Sequence, residues 1–280
     1  ISTPEGLNRY DGRINSIFKS NPFDSTTISN NLVNETFQIN NKGLYIKSST
    51  GLDYFSYLRN DFIRMNVNSP LFHTNDEKYL YLSSKNDGVF ILNLENQSSN
   101  NLKFDPRNPL SISSSNFTID QNDIILPLKE DLWIGTVYGL NKYNINSNLN
   151  KRFYQKEDNT SLNSNIINDL FYIDEKLYDE KITISNQILA ATQNGLSLIN
   201  PTNNEIRNYS ELKNTTIYNT FLVDDDILIH TENGIFLIDK INEESISLIK
   251  IVNSKGVSKI RKITDNEFVL YSSSNYFQRI

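Results

Sequence analysis

The fold is decided by a short stretch of sequence, Thr192-Gln-Asn-Gly-Leu-Ser-Leu-Ile199, and by its recurrence as Thr231-Glu-Asn-Gly-Ile-Phe-Leu-Ile238 and Thr136-Val-Tyr-Gly-Leu-Asn-Lys-Tyr143. In each copy a β-rich run ends in Thr, two turn residues and a Gly follow, and an alternating apolar run begins. Asn-Gly between two apolar runs is a strong hairpin signal, because Gly adopts left-handed backbone conformations without a Cβ clash. Each copy therefore predicts a tight hairpin with Gly139, Gly195 or Gly234 at positive φ.

Weaker copies of the pattern extend over the whole chain. Seven anchors lie at positions 6, 51, 88, 139, 195, 234 and 275, with Asn275 in place of the last Gly, and they are 37 to 56 residues apart. That spacing suits roughly four short strands per repeat, which is typical of propeller blades. Apolar positions recur at period two, and no helical period is found.

These observations predict an all-β fold in which residues 1–280 form a single β-propeller domain of four-stranded antiparallel blades. Seven anchors predict seven blades, or a seven-blade ring lacking pieces at its ends. A closed six-blade ring whose ends share a blade is the alternative. Outer strands are expected at 150–155 and 205–210, and inner strands at 165–173 and 215–223.

A second repeated element precedes three of the inner strands. Its copies are Asn21-Pro-Phe-Asp-Ser-Thr-Thr-Ile28-Ser-Asn-Asn-Leu32, Asn108-Pro-Leu-Ser-Ile112-Ser-Ser-Ser-Asn116-Phe117 and Asn159-Thr-Ser-Leu162-Asn-Ser-Asn165-Ile166. One apolar residue followed by small polar residues and an Asn predicts a plug between two blades and a turn into the inner strand.

Composition and charge exclude several classes of function. The chain of 280 residues carries 27 Lys and Arg against 33 Asp and Glu, a formal charge of −6, so we expect no nucleic-acid partner for this chain. No window approaches the length of an apolar membrane span, so we expect no membrane contact by this chain. The absence of Cys excludes disulfides, thiolate nucleophiles and Cys-based zinc sites, and we expect no cofactor.

The stretch Asp131-Leu-Trp-Ile-Gly-Thr-Val-Tyr-Gly-Leu-Asn-Lys-Tyr143, followed by 159–165, closely resembles the two-component regulator propeller repeat of hybrid two-component sensors from gut Bacteroidetes. The opening residues 1–12 are similar to the first such repeat. The resemblance is fair near Gly195 and Gly234 and weaker near the remaining anchors, since only Trp133 keeps the family's Trp.

The resemblance implies a larger parent protein. Such a parent has two seven-bladed periplasmic propellers, a small β-sandwich domain, a membrane span, and cytoplasmic histidine kinase, receiver and AraC-type DNA-binding parts. Its periplasmic part senses products of polysaccharide breakdown. By this resemblance the chain is an excised or truncated piece covering the first propeller, its partners are an oligosaccharide and the second propeller, and a homodimer forms through the parent.

The two histidines and the acidic clusters are the candidates for catalytic or metal-binding groups. His73 and His230 belong to no metal-binding pattern and to no Ser-His-Asp order, and His230 is expected to be half-exposed at the end of a second strand. Acidic runs at 174–175, 179–180 and 224–226 could serve as paired glycosidase carboxylates or a calcium cage, but their positions between strands favour turns. We therefore predict no catalytic residue and no metal site.

Aromatic residues are the remaining candidates for ligand contacts. Trp133 and Phe55 are expected to pack between blades, whereas Tyr138 lies in a hairpin turn and should face solvent. We predict Tyr138, Asn194 and Glu232 as ligand-binding residues at equivalent solvent-facing positions of three blades. The resulting hypothesis is a non-enzymatic sensing propeller for oligosaccharides. The alternatives are an interaction scaffold with no small-molecule ligand and, less favoured, a propeller glycosidase or lyase.

Overall fold

The computed structural model describes residues 1–117, 124–158, 160–177, 179–253, 257–264, 267–272 and 277–279, without the side chain of residue 72 or any side chain after 253. Asn159 and the anchor Asn275, two positions of the predicted repeats, lie outside these ranges. The described residues divide into two compact units, one of 1–104 and 115–117 and one of 105–114 and 124 onward. The expectation of a single domain over 1–280 stays a prediction.

The first unit contains three antiparallel sheets in its described residues, of three, four and four strands. Every strand pairs with its neighbours in sequence, so each sheet is a meander. The strands are β1 (Ser2–Thr3), β2 (Gly6–Tyr10), β3 (Asn15–Phe18); β4 (Val33–Phe37), β5 (Gly43–Ser48), β6 (Gly51–Ser56), β7 (Asp61–Asn68); β8 (Pro70–Asn75), β9 (Tyr79–Ser84), β10 (Gly88–Asn93) and β11 (Ser99–Leu102).

The second unit contains four such sheets in its described residues, three of four strands and a last one of three. Its strands are β12 (Ile125–Leu128), β13 (Asp131–Thr136), β14 (Gly139–Asn144), β15 (Asn150–Phe153); β16 (Ile167–Ile173), β17 (Gln187–Thr192), β18 (Gly195–Ile199), β19 (Ile206–Asn208); β20 (Ile217–Val223), β21 (Asp226–Thr231), β22 (Gly234–Ile241), β23 (Ile246–Val252); β24 (Val257–Thr264), β25 (Glu267–Ser272) and β26 (Phe277–Arg279). Two short 3-10 helices, Glu175–Leu177 and Ser210–Leu212, complete the described elements.

The all-β prediction is confirmed, and the predicted inner and outer strands are present with shorter bounds. The outer strand β15 ends at Phe153, because the Gln155 N–H leaves the ladder and donates to Asn165 Oδ1 at 2.7 Å. The number of blades stays a prediction.

A buried Thr fixes the geometry of the hairpins that join second and third strands. The Thr136 hydroxyl donates to the Gly139 carbonyl at 2.9 Å and accepts the N–H of Tyr138 at 3.0 Å. Thr192 and Thr231 make the same pair of bonds around Gly195 and Gly234. The two-residue turn therefore has its polar groups satisfied by the residue that ends the strand.

The positive φ predicted for the hairpin glycines is confirmed. The φ angles are 115° at Gly139, 128° at Gly195 and 119° at Gly234. Gly51 differs, since it does not adopt a positive φ; there the Ser48 hydroxyl donates to the Gly51 carbonyl and accepts its N–H.

The hydrophobic cores lie between consecutive sheets of each unit. Trp133, which is fully buried, joins Phe153 of its own sheet and Leu170 of the next in one cluster, and Phe55 is buried in the first unit. The predicted inter-sheet packing of both aromatics is confirmed. Every residue of Gln187–Thr192 and Gly195–Ile199 is buried, because neighbouring sheets cover the central strands on both faces.

The predicted plug residues are also buried. Ile28, Ile112 and Leu162 are each at most 1% exposed. Leu162 packs against Trp133 and its neighbours, and Ile28 packs in the cluster of the first unit that contains Phe55. The apolar residue of each copy of the second repeated element is therefore buried, as the sequence predicts.

Candidate ligand-binding surfaces

The first candidate surface is the set of hairpin turns in the second unit that carry Tyr138, Asn194 and Glu232, called here the tip surface. Tyr138 is 63% exposed, and its backbone N–H is held by Thr136. Asn194 is half-buried, with Nδ2 3.4 Å from the Asn163 carbonyl. The turn position predicted for Tyr138 is confirmed, while a ligand contact by any of the three stays a prediction.

The predicted equivalence of these three residues is wrong for Glu232. The turn N–H that bonds to the strand-ending Thr belongs to Tyr138, Asn194 and Asn233, so Asn233 is the equivalent residue. Glu232 precedes it by one position, and its carboxylate accepts the backbone N–H of Thr216 at 3.1 Å. Glu232 lies two residues before Gly234, whereas Tyr138 and Asn194 each directly precede a Gly.

The second candidate surface is a cleft of about 560 Å³ in the second unit, called here the Trp133 cleft. It is lined by Lys129, Asp131, Trp133, Lys142, Tyr172 and Glu175, with further turn residues. These residues lie at or near the turns that join the first strand of a sheet to its second and the third strand to its fourth. In a meander, that is the end of the strands opposite to the tip hairpins.

The floor of the Trp133 cleft is formed by the Lys142 ammonium, which lies over the Trp133 ring and pairs with Asp131. The Lys142 ammonium lies 5.3 Å from the Trp133 ring centroid and 3.2 Å from Asp131 Oδ2. It also donates to the Pro201 carbonyl at 2.6 Å and to Asn204 Oδ1 at 3.3 Å. An ammonium has three hydrogens, so these acceptors occupy its donor capacity.

One wall of the cleft is a chain of polar side chains. The Tyr172 hydroxyl donates to Asn186 Oδ1 at 2.7 Å, and Asn186 Nδ2 donates to Glu175 Oε1 at 3.0 Å. Burial, with the nearby carboxylates of Asp174 and Glu175, raises the pKa of Tyr172 above its ordinary value. Tyr172 is therefore a neutral phenol that donates its proton to the amide.

The first unit has a corresponding cleft of about 720 Å³, lined by Ile39, Lys42, Asn75, Glu77 and Leu94. Asn75 pairs with Leu80, four residues before the hairpin Ser84, as Tyr172 pairs with Ile188, four residues before Thr192. The two clefts therefore occupy equivalent places in their units but carry different side chains.

His230 is not half-exposed as the sequence predicted; it is only 2% exposed. Its ring lies 4.9 Å from the Tyr218 ring, and neither ring nitrogen has a hydrogen-bond partner in the described part of the chain. Burial lowers its pKa from 6.5 to about 4, so the imidazole is neutral at pH 7. Its strand is covered on both faces, which the local sequence does not reveal.

His73 belongs to a small charged group in the first unit. Its Nδ1 lies 3.7 Å from Glu35 Oε2, and the Lys47 ammonium lies 2.6 Å from the same oxygen. Burial lowers the pKa of His73, which Glu35 raises and Lys47 lowers by smaller amounts. The His73 ring stacks on Phe37 with centroids 3.7 Å apart, so the group is tied into the sheet.

The acidic runs lie mostly between strands, as the sequence predicted, although Glu175 begins a short 3-10 helix and Asp226 is the first residue of β21. Asp174 Oδ1 accepts the N–H of Lys176, and Asp179 Oδ1 accepts those of Lys181 and Ile182. Within the described ranges, no three His, Asp or Glu side chains lie close enough to share a metal ion. The described part of the chain also has no helix with the length and apolarity that a membrane crossing requires.

Stacked antiparallel meanders joined by plug loops define the class of this protein as an all-β fold of the β-propeller type. The solved structures it resembles include the extracellular domain of the hybrid two-component system BT3049 from B. thetaiotaomicron, with a TM-score of 0.60 and 18% identity over 100% of this chain. A second is that of BT4673 from the same organism, with a TM-score of 0.58 and 18% identity over 99%. The predicted resemblance to sensor propellers is therefore confirmed at the level of the fold.

A third similar structure is PorZ, a surface component of the type-IX secretion system of Porphyromonas gingivalis, with a TM-score of 0.54 and 13% identity over 89% of this chain. The chain spans 38%, 35% and 32% of the lengths of these three structures. No protein-family model matches the chain, and no curated protein sequence matches it.

Two features of the surfaces escaped prediction from the sequence. Tyr172 reaches the Trp133 cleft only through the register of its strand against Ile188, which the sequence does not specify. Lys142 could have been predicted to be paired, because it is the one charged residue in the mostly buried strand that follows Gly139, and a charge in such a strand needs a partner.

Proposed function

We propose that this chain is a non-catalytic sensing propeller from the extracellular, periplasmic part of a membrane-anchored two-component sensor, and that it binds oligosaccharides at the tip surface. The observation that carries the proposal is the exposed Tyr138 ring, held on a turn whose backbone is fixed by Thr136. A rigid exposed aromatic ring suits sugar binding, because the apolar face of a pyranose packs on it without an entropic cost of ordering the loop.

The neighbouring tip turns supply hydrogen-bonding groups. Asn194 and Asn233 occupy the position of Tyr138 in the next two sheets, and Glu232 lies beside Asn233. Aromatic and amide groups presented together on a stiff scaffold favour weak, reversible binding of hydroxylated ligands. Binding would then change the position of rigid bodies in the parent rather than the structure of a sheet.

Two other functions remain in competition. PorZ, which is a surface component of a secretion system, also shares the fold, so an interaction scaffold without a small-molecule ligand is the second candidate. A glycosidase or lyase is less favoured, because the acidic runs at 174–175 and 179–180 cap turns.

The test is calorimetric titration of the chain with a panel of plant and host oligosaccharides. We expect saturable binding of at least one member that Tyr138→Ala weakens at least about tenfold, or about 1.4 kcal/mol. Tyr10→Ala is the matched control, since Tyr10 is also 63% exposed but lies at the other end of its strand.

The same titration on the complete extracellular region of the natural protein separates the alternatives. Binding that Tyr138→Ala leaves unchanged would refute the tip surface as the site. Absence of binding in both samples would favour the interaction scaffold, and turnover of any panel member would refute the non-catalytic function.

A further inference from the structure

We propose that the Trp133 cleft is a second binding site and that its ligand is a neutral sugar. This inference rests on the proposed oligosaccharide-binding function, but it places a ligand at the opposite end of the strands from Tyr138. The cleft, at about 560 Å³, falls within the range of roughly 300–1,000 Å³ of small-molecule sites. It therefore has room for a short saccharide.

The charges of the cleft select against an anionic ligand. Lys142 is only 17% exposed, and its donors are occupied by Asp131, the Pro201 carbonyl and Asn204. The remaining charged groups on the lining are one cation, Lys129, and the carboxylates of Glu130 and Glu175. A phosphate or uronate would meet an excess of negative charge, whereas neutral hydroxyls find acceptors.

The tryptophan beneath the cleft is fully buried. Trp133 lines the cleft while being fully buried, and its indole N–H has no acceptor in the described part of the chain. Because this side chain is fully buried, Trp133 serves as a reporter beneath the cleft and not as a ligand contact.

The wall of the cleft is ordered before any ligand arrives. The bonds from Tyr172 to Asn186 and from Asn186 to Glu175 fix three side chains of which Tyr172 is half-buried. Only one carboxylate oxygen of Glu175 is used within the described residues, so the other is available to accept a ligand hydroxyl. An aromatic ring beside a free acceptor suits one face and one edge of a sugar.

The equivalent cleft of the first unit provides a control within the same chain. Asn75 stands there at the register position of Tyr172, and Tyr45 stands at that of Trp133. No tryptophan is present, because Trp133 is the only one in the sequence. A ligand that requires the Tyr172 ring should therefore be insensitive to Asn75→Ala.

The experiment uses the single Trp133 as a local reporter. We titrate the chain with cellobiose, xylobiose, mannobiose and maltose, and with a glucuronate-containing disaccharide, and we follow tryptophan emission. We expect a saturable change with at least one neutral disaccharide and none with the uronate. Glu175→Gln should weaken that response about threefold to tenfold, Tyr172→Ala at least about tenfold, and Asn75→Ala not at all.

The variants keep the test decisive if one of them folds poorly. Glu175 is exposed, so Glu175→Gln preserves the fold even if Tyr172→Ala does not. An emission response that is absent with every neutral disaccharide, or that both variants leave unchanged, would overturn the cleft site. Tyr138→Ala should not alter the response, so failure of the tip surface and failure of the cleft give different results.

Discussion

At the scale of single residues, each tip hairpin depends on a glycine for two separate reasons. Gly195 has a φ of +128°, and a Cβ there would lie 2.8 Å from Asn163 Nδ2 and 3.1 Å from the Leu212 carbonyl. Gly12 has a φ of +96° but open space around it. Substitution of both glycines therefore separates the energetic cost of backbone strain from that of steric conflict.

We predict that Gly195→Val lowers the free energy of unfolding by more than about 1 kcal/mol, because strain and close contacts add. Gly12→Val should cost less, since only the strain applies. Urea unfolding of both variants measures the difference. An unchanged free energy of unfolding for Gly195→Val would contradict the turn assignment.

Asp53 is a buried carboxylate two residues after the hairpin Gly51, at a position where another copy of the hairpin repeat carries an amide. Its Oδ2 accepts the N–H and hydroxyl of Ser29, and its Oδ1 has no partner within the described residues. Burial raises its pKa. Asn141, two residues after Gly139 as Asp53 is after Gly51, accepts the Ser113 N–H and donates to the Ile134 carbonyl.

We predict that Asp53→Asn stabilises the protein at pH 7 by about 1 kcal/mol, since it removes a buried charge and adds a donor. A raised folded-state pKa means that the native carboxyl contributes most stability when protonated, and that this contribution is lost as pH rises through its pKa. The gain should therefore shrink towards low pH. Melting temperatures at pH 7 and pH 4 test this, and a loss of stability at pH 7 would contradict it.

His230 should make folding sensitive to mild acid. Its folded-state pKa of about 4 is below its ordinary value of 6.5, so the unfolded chain binds more protons between these values. We predict that the contribution of His230 leaves the free energy of unfolding at its full value above about pH 6.5. This free energy should fall by up to about 3 kcal/mol as the pH drops to about 4.

The control is His230→Phe, which keeps an aromatic ring beside Tyr218 but cannot titrate. The difference between the wild-type and variant stability curves isolates His230, because His73 and the carboxylates are common to both. Parallel curves between pH 7 and pH 4 would refute the buried, neutral imidazole.

At the scale of elements, an arginine from the fourth strand holds each of two plug loops. Arg152 donates from Nε to the Ser111 carbonyl at 2.7 Å and from Nη2 to the Asn108 carbonyl at 3.0 Å. Arg64 holds the first plug loop in the same way, through the carbonyls of Asn21, Asp24 and Thr27. The planar fork of a guanidinium reaches several carbonyls at once, which an ammonium does not.

We predict that Arg152→Lys costs about 1–2 kcal/mol and loosens the loop at 108–112. Hydrogen exchange of the Ser111 and Ser113 amides measures the loosening, and urea unfolding measures the cost. Arg107→Lys is the control, because Arg107 lies in the same loop with its side chain 90% exposed. Equal exchange in both variants would show that the arginine does not hold the loop.

Sequence reasoning succeeded where the chemistry is local. The Thr, the two turn residues and the Gly of a hairpin are consecutive, so Gly139, Gly195 and Gly234 could be placed without tertiary information. The hydrogen bond from Arg152 to the Ser111 carbonyl joins residues 41 apart in the chain, and the sequence around Arg152 does not indicate it. His230 was misjudged for the same reason, because its cover comes from neighbouring elements.

At the scale of the whole molecule, the described residues form repeated meanders, and central strands such as Gln187–Thr192 and Gly195–Ile199 are buried on both faces. Such sheets have little internal freedom, so under the proposed function we expect a binding event to displace rigid parts rather than to rearrange strands. This agrees with the proposed role as a passive binding module. The chemistry of a sensor would then be located in other parts of its parent.

Recovery of the ligand after titration shows whether the chain binds oligosaccharides without transforming them, as proposed. The chain is titrated with the oligosaccharide panel to saturation, and the ligand is then analysed by mass spectrometry. We expect saturable binding and ligand recovered with its mass and linkage unchanged. Cleavage products that accumulate with time, in proportion to the amount of protein, would contradict it.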